Sequence, residues 1–167
     1  TQGEEMKSEY PSYPDEAFEL SVEGAYFSKQ MSYLRRNGRL TRVPWDPRHG
    51  VETWWDVGYD DYTSIIFTQA VGREMRIIDY YEGSQEDIAH YIRHLGTLPY
   101  RYERHFFPHD AESKSLQTGK STKTIALEHG LRPITIVPRT QSKQASIDQA
   151  RSVFSFLWVD EEKCARL

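Results

Sequence analysis

Apolar and polar positions change period twice along this chain. Residues 51–57 (VETWWDV), 63–69 (TSIIFTQ) and 74–81 (EMRIIDYY) are short runs of β-branched and aromatic residues separated by the turn signals GYDD and VGR. Links this short predict an antiparallel meander of three strands. The period then shifts: Ile88, Tyr91, Ile92 and Leu95 fall at i, i+3, i+4 and i+7 and mark one face of a helix, with Ser84 and Asp87 as a capping-box-like start. RHFFP at 104–108 is a short apolar run stopped by Pro108. A small helix is expected from about Ser121, ended by Gly130 in the left-handed conformation with Leu131 packing beyond it. PITIVP at 133–138 reads as a further strand, and Ile147, Ala150, Phe154, Leu157 and Trp158 as a second amphipathic helix.

The predicted order is βββαβαβα, an α/β chain in which a meander is followed by alternating units whose later strands run parallel to the first. Residues 1–43 are rich in Pro, Tyr and acid and lack sustained periodicity, so they read as a connecting arm, and residues 44–167 as the domain. VDEEKCARL at 159–167 resembles a fresh helix with Asp160 as its cap, cut short at Leu167.

Length and composition narrow the class. A chain of 167 residues, 38% of them hydrophobic, can bury one sizeable core. The chain starts at Thr1, without an initiator Met, and has no stretch apolar enough to span a bilayer and no signal-peptide pattern. It reads as a soluble piece of a longer protein. Cys164 is the lone cysteine, so nothing asks for an oxidising compartment, and the cytoplasm is the default. The formal charge of −4 is uneven: residues 1–23 hold seven acids against Lys7, a net of −6, leaving +2 for the remainder. That balance permits a nucleic-acid partner without demanding one.

Two acids stand where such sheets place ligand sites, beyond the carboxyl ends of parallel strands. They are Asp56, near the end of the first strand, and Asp110, in HFFPHDAES just past the fourth. An unpaired carboxylate buried in an apolar strand would be costly, and two converging carboxylates repel unless a cation lies between them. Hard oxygen ligands suit Mg or Mn, and a pair of such ions activates water and stabilises the leaving oxygen of a phosphodiester. The bland alternative is that both acids only cap turns.

The succession WWDVGYDDYTSIIFTQ, MRIIDYYEGSQEDIAHYI, HFFPHDAES, LQTGKSTKTIALEHGL and SIDQARSVFSFLWVDEEKC resembles the nuclease domain of the large terminase subunit of tailed bacteriophages. It covers most of the chain from about Pro44, and the arm YPSYPDEAF…GAYF resembles the segment joining that domain to its ATPase motor. The resemblance implies a ribonuclease-H-like mixed sheet of order 3-2-1-4-5 with flanking helices. It implies a metal-dependent endonuclease that cuts concatemeric double-stranded DNA when packaging starts and ends, in the host cytoplasm during viral assembly. Mg²⁺ or Mn²⁺ would be held by three acids in a two-metal site. Asp56 matches the acid of the first strand and Asp110 the acid after the fourth. The third belongs to a C-terminal element and has no match before Leu167; Asp148, Asp160, Glu161 and Glu162 stand in no matching context. The implied partners are the terminase ATPase domain, the portal protein and the small terminase subunit.

Other features are weaker. TGKST at 118–122 lacks the earlier glycine of a phosphate-binding loop, since Lys114 stands in its place. Lys114, Lys120 and Lys123 are better read as a basic loop contacting DNA phosphates, or as a solvated face. Asp61 is a candidate for a water-mediated metal contact, with turn chemistry as the alternative. His90 and His94 stand one turn apart but lack a third zinc ligand, and His109 is a neighbour of the site or a surface residue. Trp54, Trp55, Tyr80 and Tyr81 read as core and cross-strand pairs. The rival readings keep the fold with an RNA:DNA hybrid or branched-junction substrate, or make the chain a non-catalytic docking module for portal or motor.

Overall fold

The computed structural model describes residues 26–58, 62–116 and 118–167. Strict alternation builds its centre. In β2 (Val51–Asp56), Val51, Thr53 and Trp55 are buried while Glu52 and Trp54 are half-buried and Asp56 is exposed. In β3 (Tyr62–Val71), Thr63, Ile65 and Phe67 point inward in the same way, before a register shift after Phe67 redirects the strand. β4 (Glu74–Ser84) completes the antiparallel meander. Three further strands are short: β5 (Tyr102–Phe107), β6 (Ile134–Ile136) and β7 (Leu157–Asp160), preceded in the chain by the two-residue β1 (Leu40–Thr41).

The strands form one mixed sheet of order β1-β7-β4-β3-β2-β5-β6. Counted from Val51, the first five lie in the expected order 3-2-1-4-5, with the fourth, β5, parallel to β2. Only β3 runs against the others, so the carboxyl ends of β2, β5 and β6 share one edge.

Helices cover both faces. α2 (Ile88–Thr97) and α3 (Thr122–Glu128) supply Tyr91, Leu95 and Ala126 to the larger core, which also holds Val51, Trp55, Ile65, Phe67, Ile78 and Phe107. α1 (Ser28–Arg36) supplies Leu34 to a second cluster with Leu157, Val159 and Cys164. β7 shows that the clusters lie on opposite faces: Leu157 and Val159 belong to the second, while Trp158 between them packs against the first. Gly83 leaves room for Tyr91, whose hydroxyl would stand 3.1 Å from an added Cβ.

The α3 expectation holds in detail: Ser121 caps it by accepting from the Thr124 amide, Gly130 takes φ +85°, and Leu131 is buried beyond it. Four expectations change. Ser84 is the last residue of β4, and the cap of α2 is Asp87, whose carboxylate accepts from the His90 amide at 2.7 Å. The last predicted helix is shorter: α4 spans Lys143–Val153, and Leu157 and Trp158 lie in β7. LWVD is a compact apolar run, and the slot between β4 and β1 satisfies its backbone, which overrides the helical spacing of Phe154 and Leu157. Residues 161–166 form turns rather than a helix. Asp160 does cap them, accepting from the amides of Glu162 (3.1 Å) and Lys163 (2.9 Å), while its other oxygen takes the buried Val43 amide at 2.8 Å. Within the segment expected as an arm, residues 28–36 and 40–41 form α1 and β1, and β1 pairs in parallel with β7.

Candidate active site at the carboxyl ends of the central strands

β2 and β5 lie side by side, with Trp54 level with Phe106. Asp56 is two residues further along β2 and ends it. Past Phe107, Pro108 stops β5 and a single 3-10 turn, His109–Glu112, follows. Two backbone bonds close the turn, Ala111 N–H to Pro108 carbonyl (3.1 Å) and Ser113 N–H to Asp110 carbonyl (2.8 Å). Ala111 is 4% exposed and belongs to the main core, so it pins the turn while His109, Asp110 and Glu112 stay outside. Of the two predicted acids, Asp56 therefore stands at the carboxyl end of its strand and Asp110 just past the end of the adjacent parallel one.

Asp56 is exposed and shares the outer face of β2 with Glu52 and Trp54, so it carries no burial penalty. Beside it Trp54 stacks on Phe106, centroids 4.0 Å apart, and donates its indole N–H to Thr68 Oγ1 at 3.0 Å. Trp55 lies in the core as expected; Trp54 is half-buried on the opposite face. Glu52, on that face, is raised by burial above the usual carboxylate range.

Val57, next after Asp56, shares the wall of a cleft of about 370 Å³ with Asp110, Ser113, Lys114 and Leu116. Among the described residues neither the Asp56 nor the Asp110 carboxylate has a hydrogen bond or ion pair. Exposed hard oxygen donors on neighbouring strand ends fit ligands of a divalent cation. They are two and not a full set: among the described residues no three His, Cys, Asp or Glu side chains gather to hold a metal. Asp61 lies outside the described residues.

The basic loop is tied down locally. Lys120 pairs with Glu128 at 2.8 Å and Lys123 with Glu112 at 2.7 Å, while Lys114 lines the cleft and its backbone bridges to Ser121. Exposed pairs of this kind are weak and open readily to a stronger anion. His90 and His94 stand against Tyr81: its hydroxyl meets His90 Nε2 at 3.0 Å, and the His94 ring stacks on it at 3.6 Å. Burial lowers His94, which suits a packed neutral ring.

Of the other carboxylates, Asp160 is buried three strands from β2 and fully used by backbone amides. Asp148 pairs with Arg151 on α4. Glu82 was not singled out from the sequence, yet register puts Asp56, Ser64 and Glu82 in one cross-strand row on one face. It accepts from Tyr80 Oη at 2.7 Å and pairs with Arg166, so it is engaged elsewhere.

No protein-family model matches the sequence, and no curated protein matches it. Solved structures do match. The nuclease domain of the large terminase of phage P22 aligns with a TM-score of 0.54 at 13% identity, over 72% of this chain and 66% of that one. The large terminase of a thermophilic bacteriophage aligns with a TM-score of 0.55 at 10% identity, again over 72% of this chain. The chain has the terminase-nuclease fold. It spans 30% of the length of the thermophilic phage protein. At these identities the terminase-nuclease fold is what is shared, and its ribonuclease-H-like sheet is the one described above. Among the described residues no helix is long and apolar enough to cross a membrane.

Proposed function

We propose that this domain is a metal-dependent DNA endonuclease of a viral packaging terminase, with Asp56 and Asp110 as its metal ligands. The observation that carries the reading is their position, exposed at the carboxyl end of β2 and just past that of the adjacent β5, in a sheet of the terminase-nuclease fold. Asp56 is held by the strand ladder opposite Ser64, and Asp110 by the core-anchored Ala111, so both carboxylates keep their places without side-chain bonds of their own. A divalent ion such as Mg²⁺ or Mn²⁺ at these oxygens supplies Lewis acidity and neutralises charge on a phosphodiester. The chain's own part is to fix the two ligands and to leave an open cleft of about 370 Å³ beside Asp110 for the substrate. Asp61 is a water-mediated contributor in this reading. In this reading the segment ahead of α1 joins the domain to an ATPase motor, and portal and small terminase subunit are the partners of the larger assembly.

The test is nicking of supercoiled plasmid in Mn²⁺. Asp56→Asn and Asp110→Asn should each lower the rate by about 100-fold or more, with circular dichroism unchanged. Nicking that ignores both substitutions removes the assignment, and faster cutting of an RNA:DNA hybrid changes the substrate. Binding of DNA with no cutting in any divalent metal would favour a docking module.

A further inference from the structure

A second cleft, of about 420 Å³, opens beside the Asp110 turn and is lined by residues that include His109, Arg139, Gln141 and Lys143, with Pro108 and Pro138. No carboxylate lines it. We propose that this cleft seats the sugar–phosphate backbone of duplex DNA next to the proposed cutting site, with Arg139 and Lys143 as the phosphate-binding groups. The proposal rests on the nuclease reading for its substrate and on independent observations for its place.

The first observation is position. His109 and Asp110 are neighbours in one 3-10 turn, one lining each cleft. β6 runs parallel to β5 with Ile136 level with Phe107, so the second cleft continues the row of strand ends that begins with Asp56. The edge thus presents acids at β2 and β5, then cations at β6.

The second observation is availability. Among the described residues Arg139 has no ion pair or hydrogen bond. Among the described residues Lys143 meets only the Tyr26 ring, its Nζ 4.7 Å from the centroid. Lys120 and Lys123, by contrast, are already paired with carboxylates.

The third is that the loop is held from within. Val137 N–H donates to the Phe107 carbonyl at 2.8 Å, Ser142 Oγ accepts from the Ala145 amide at 3.1 Å, and Thr140 Oγ1 meets Ser146 Oγ at 2.7 Å. The hydroxyls are spent on the loop, and the cations are left for a ligand. In a chain of formal charge −4, attraction for a polyanion has to come from such local patches. A planar arginine fork and a lysine suit phosphate oxygens, and each phosphate they neutralise releases a counterion.

The experiment measures anisotropy of a labelled DNA duplex with the whole chain, metal withheld, over a range of salt. Arg139→Glu with Lys143→Glu should weaken binding about tenfold or more and lower the salt slope by about one to two. Arg73→Glu, in the β3–β4 turn at the opposite edge of the sheet, should change affinity less than about twofold. An equal effect of Arg73→Glu, or none from the double variant, overturns the proposal. So does tighter binding of an RNA duplex through the same two cations. If nicking ignores Asp56 and Asp110 while binding still needs Arg139 and Lys143, the nuclease reading falls and the DNA seat stands. If nicking needs the acids and binding ignores the cations, the reverse holds.

Discussion

His105 shows how much a single buried polar side chain reports about this fold. It is 2% exposed, on β5 next to the strand that carries Asp56, and its Nδ1 meets Thr53 Oγ1 at 2.7 Å. Thr53 also accepts from the Trp55 indole N–H at 2.8 Å, so one hydroxyl serves two core rings. Burial pushes the His105 imidazole from the usual 6.5 down to about 4. As pH falls, the unfolded chain takes up that proton first. The contribution of His105 is therefore whole above about pH 6.5, declines from there to about pH 4, and is flat below. A shift of this size corresponds to at most about 3 kcal/mol. Urea unfolding followed across pH should show the decline in the native chain, and less of it in His105→Gln. Identical pH profiles for the two would contradict this account.

At the scale of elements, Asp160 links parts that the sequence keeps far apart. One carboxylate ends β7, caps the turn after it, and holds the Val43 amide on the segment between β1 and β2. Asp160→Ala should cost about 2–4 kcal/mol in urea unfolding, with little change in slope. Asp160→Asn, which keeps an acceptor oxygen, should cost less. A loss below about 0.5 kcal/mol would mean that water replaces all three bonds.

This residue also marks where the sequence stopped being legible. Alternating runs such as VETWWDV and TSIIFTQ expose one face to a core, so their period of two reads directly as strand and places Asp56 at a strand end, while the Pro108 stop after HFF places Asp110 just past one. Leu157 and Trp158 continued a helical spacing, and only the vacant slot beside β4 makes them strand. The cap of α2 moved from Ser84 to Asp87 because pairing with Tyr62 draws Ser84 into the ladder. The cross-strand row to Glu82 and the cleft that Arg139 shares with His109 follow from register and strand order, which local composition does not encode.

For the whole molecule, protection should be graded from the middle of the sheet outward. β2 and β3 have strands on both sides and supply the fully buried Val51, Thr53, Ile65 and Phe67. β1 and β6 are the edges, two and three residues long. Native-state hydrogen exchange should find the slowest amides in β2 and β3, and in β1 and β6 amides that exchange by local opening well below the global free energy. Uniform protection across all seven strands would show that the edges open only with the centre.

β7 lies between β4 and β1, so Leu40–Thr41 have no neighbour in the sheet until Leu157–Asp160 are in place. In a cell the chain emerges from its amino end at about 5–20 residues per second, and roughly a hundred residues separate these two strands. For roughly 5–20 s on the ribosome, the meander can pair while Leu40 and Leu34 wait for Leu157 and Val159. That interval is when this chain most needs a chaperone, and the part at risk is the small second cluster, not the acids at the strand ends.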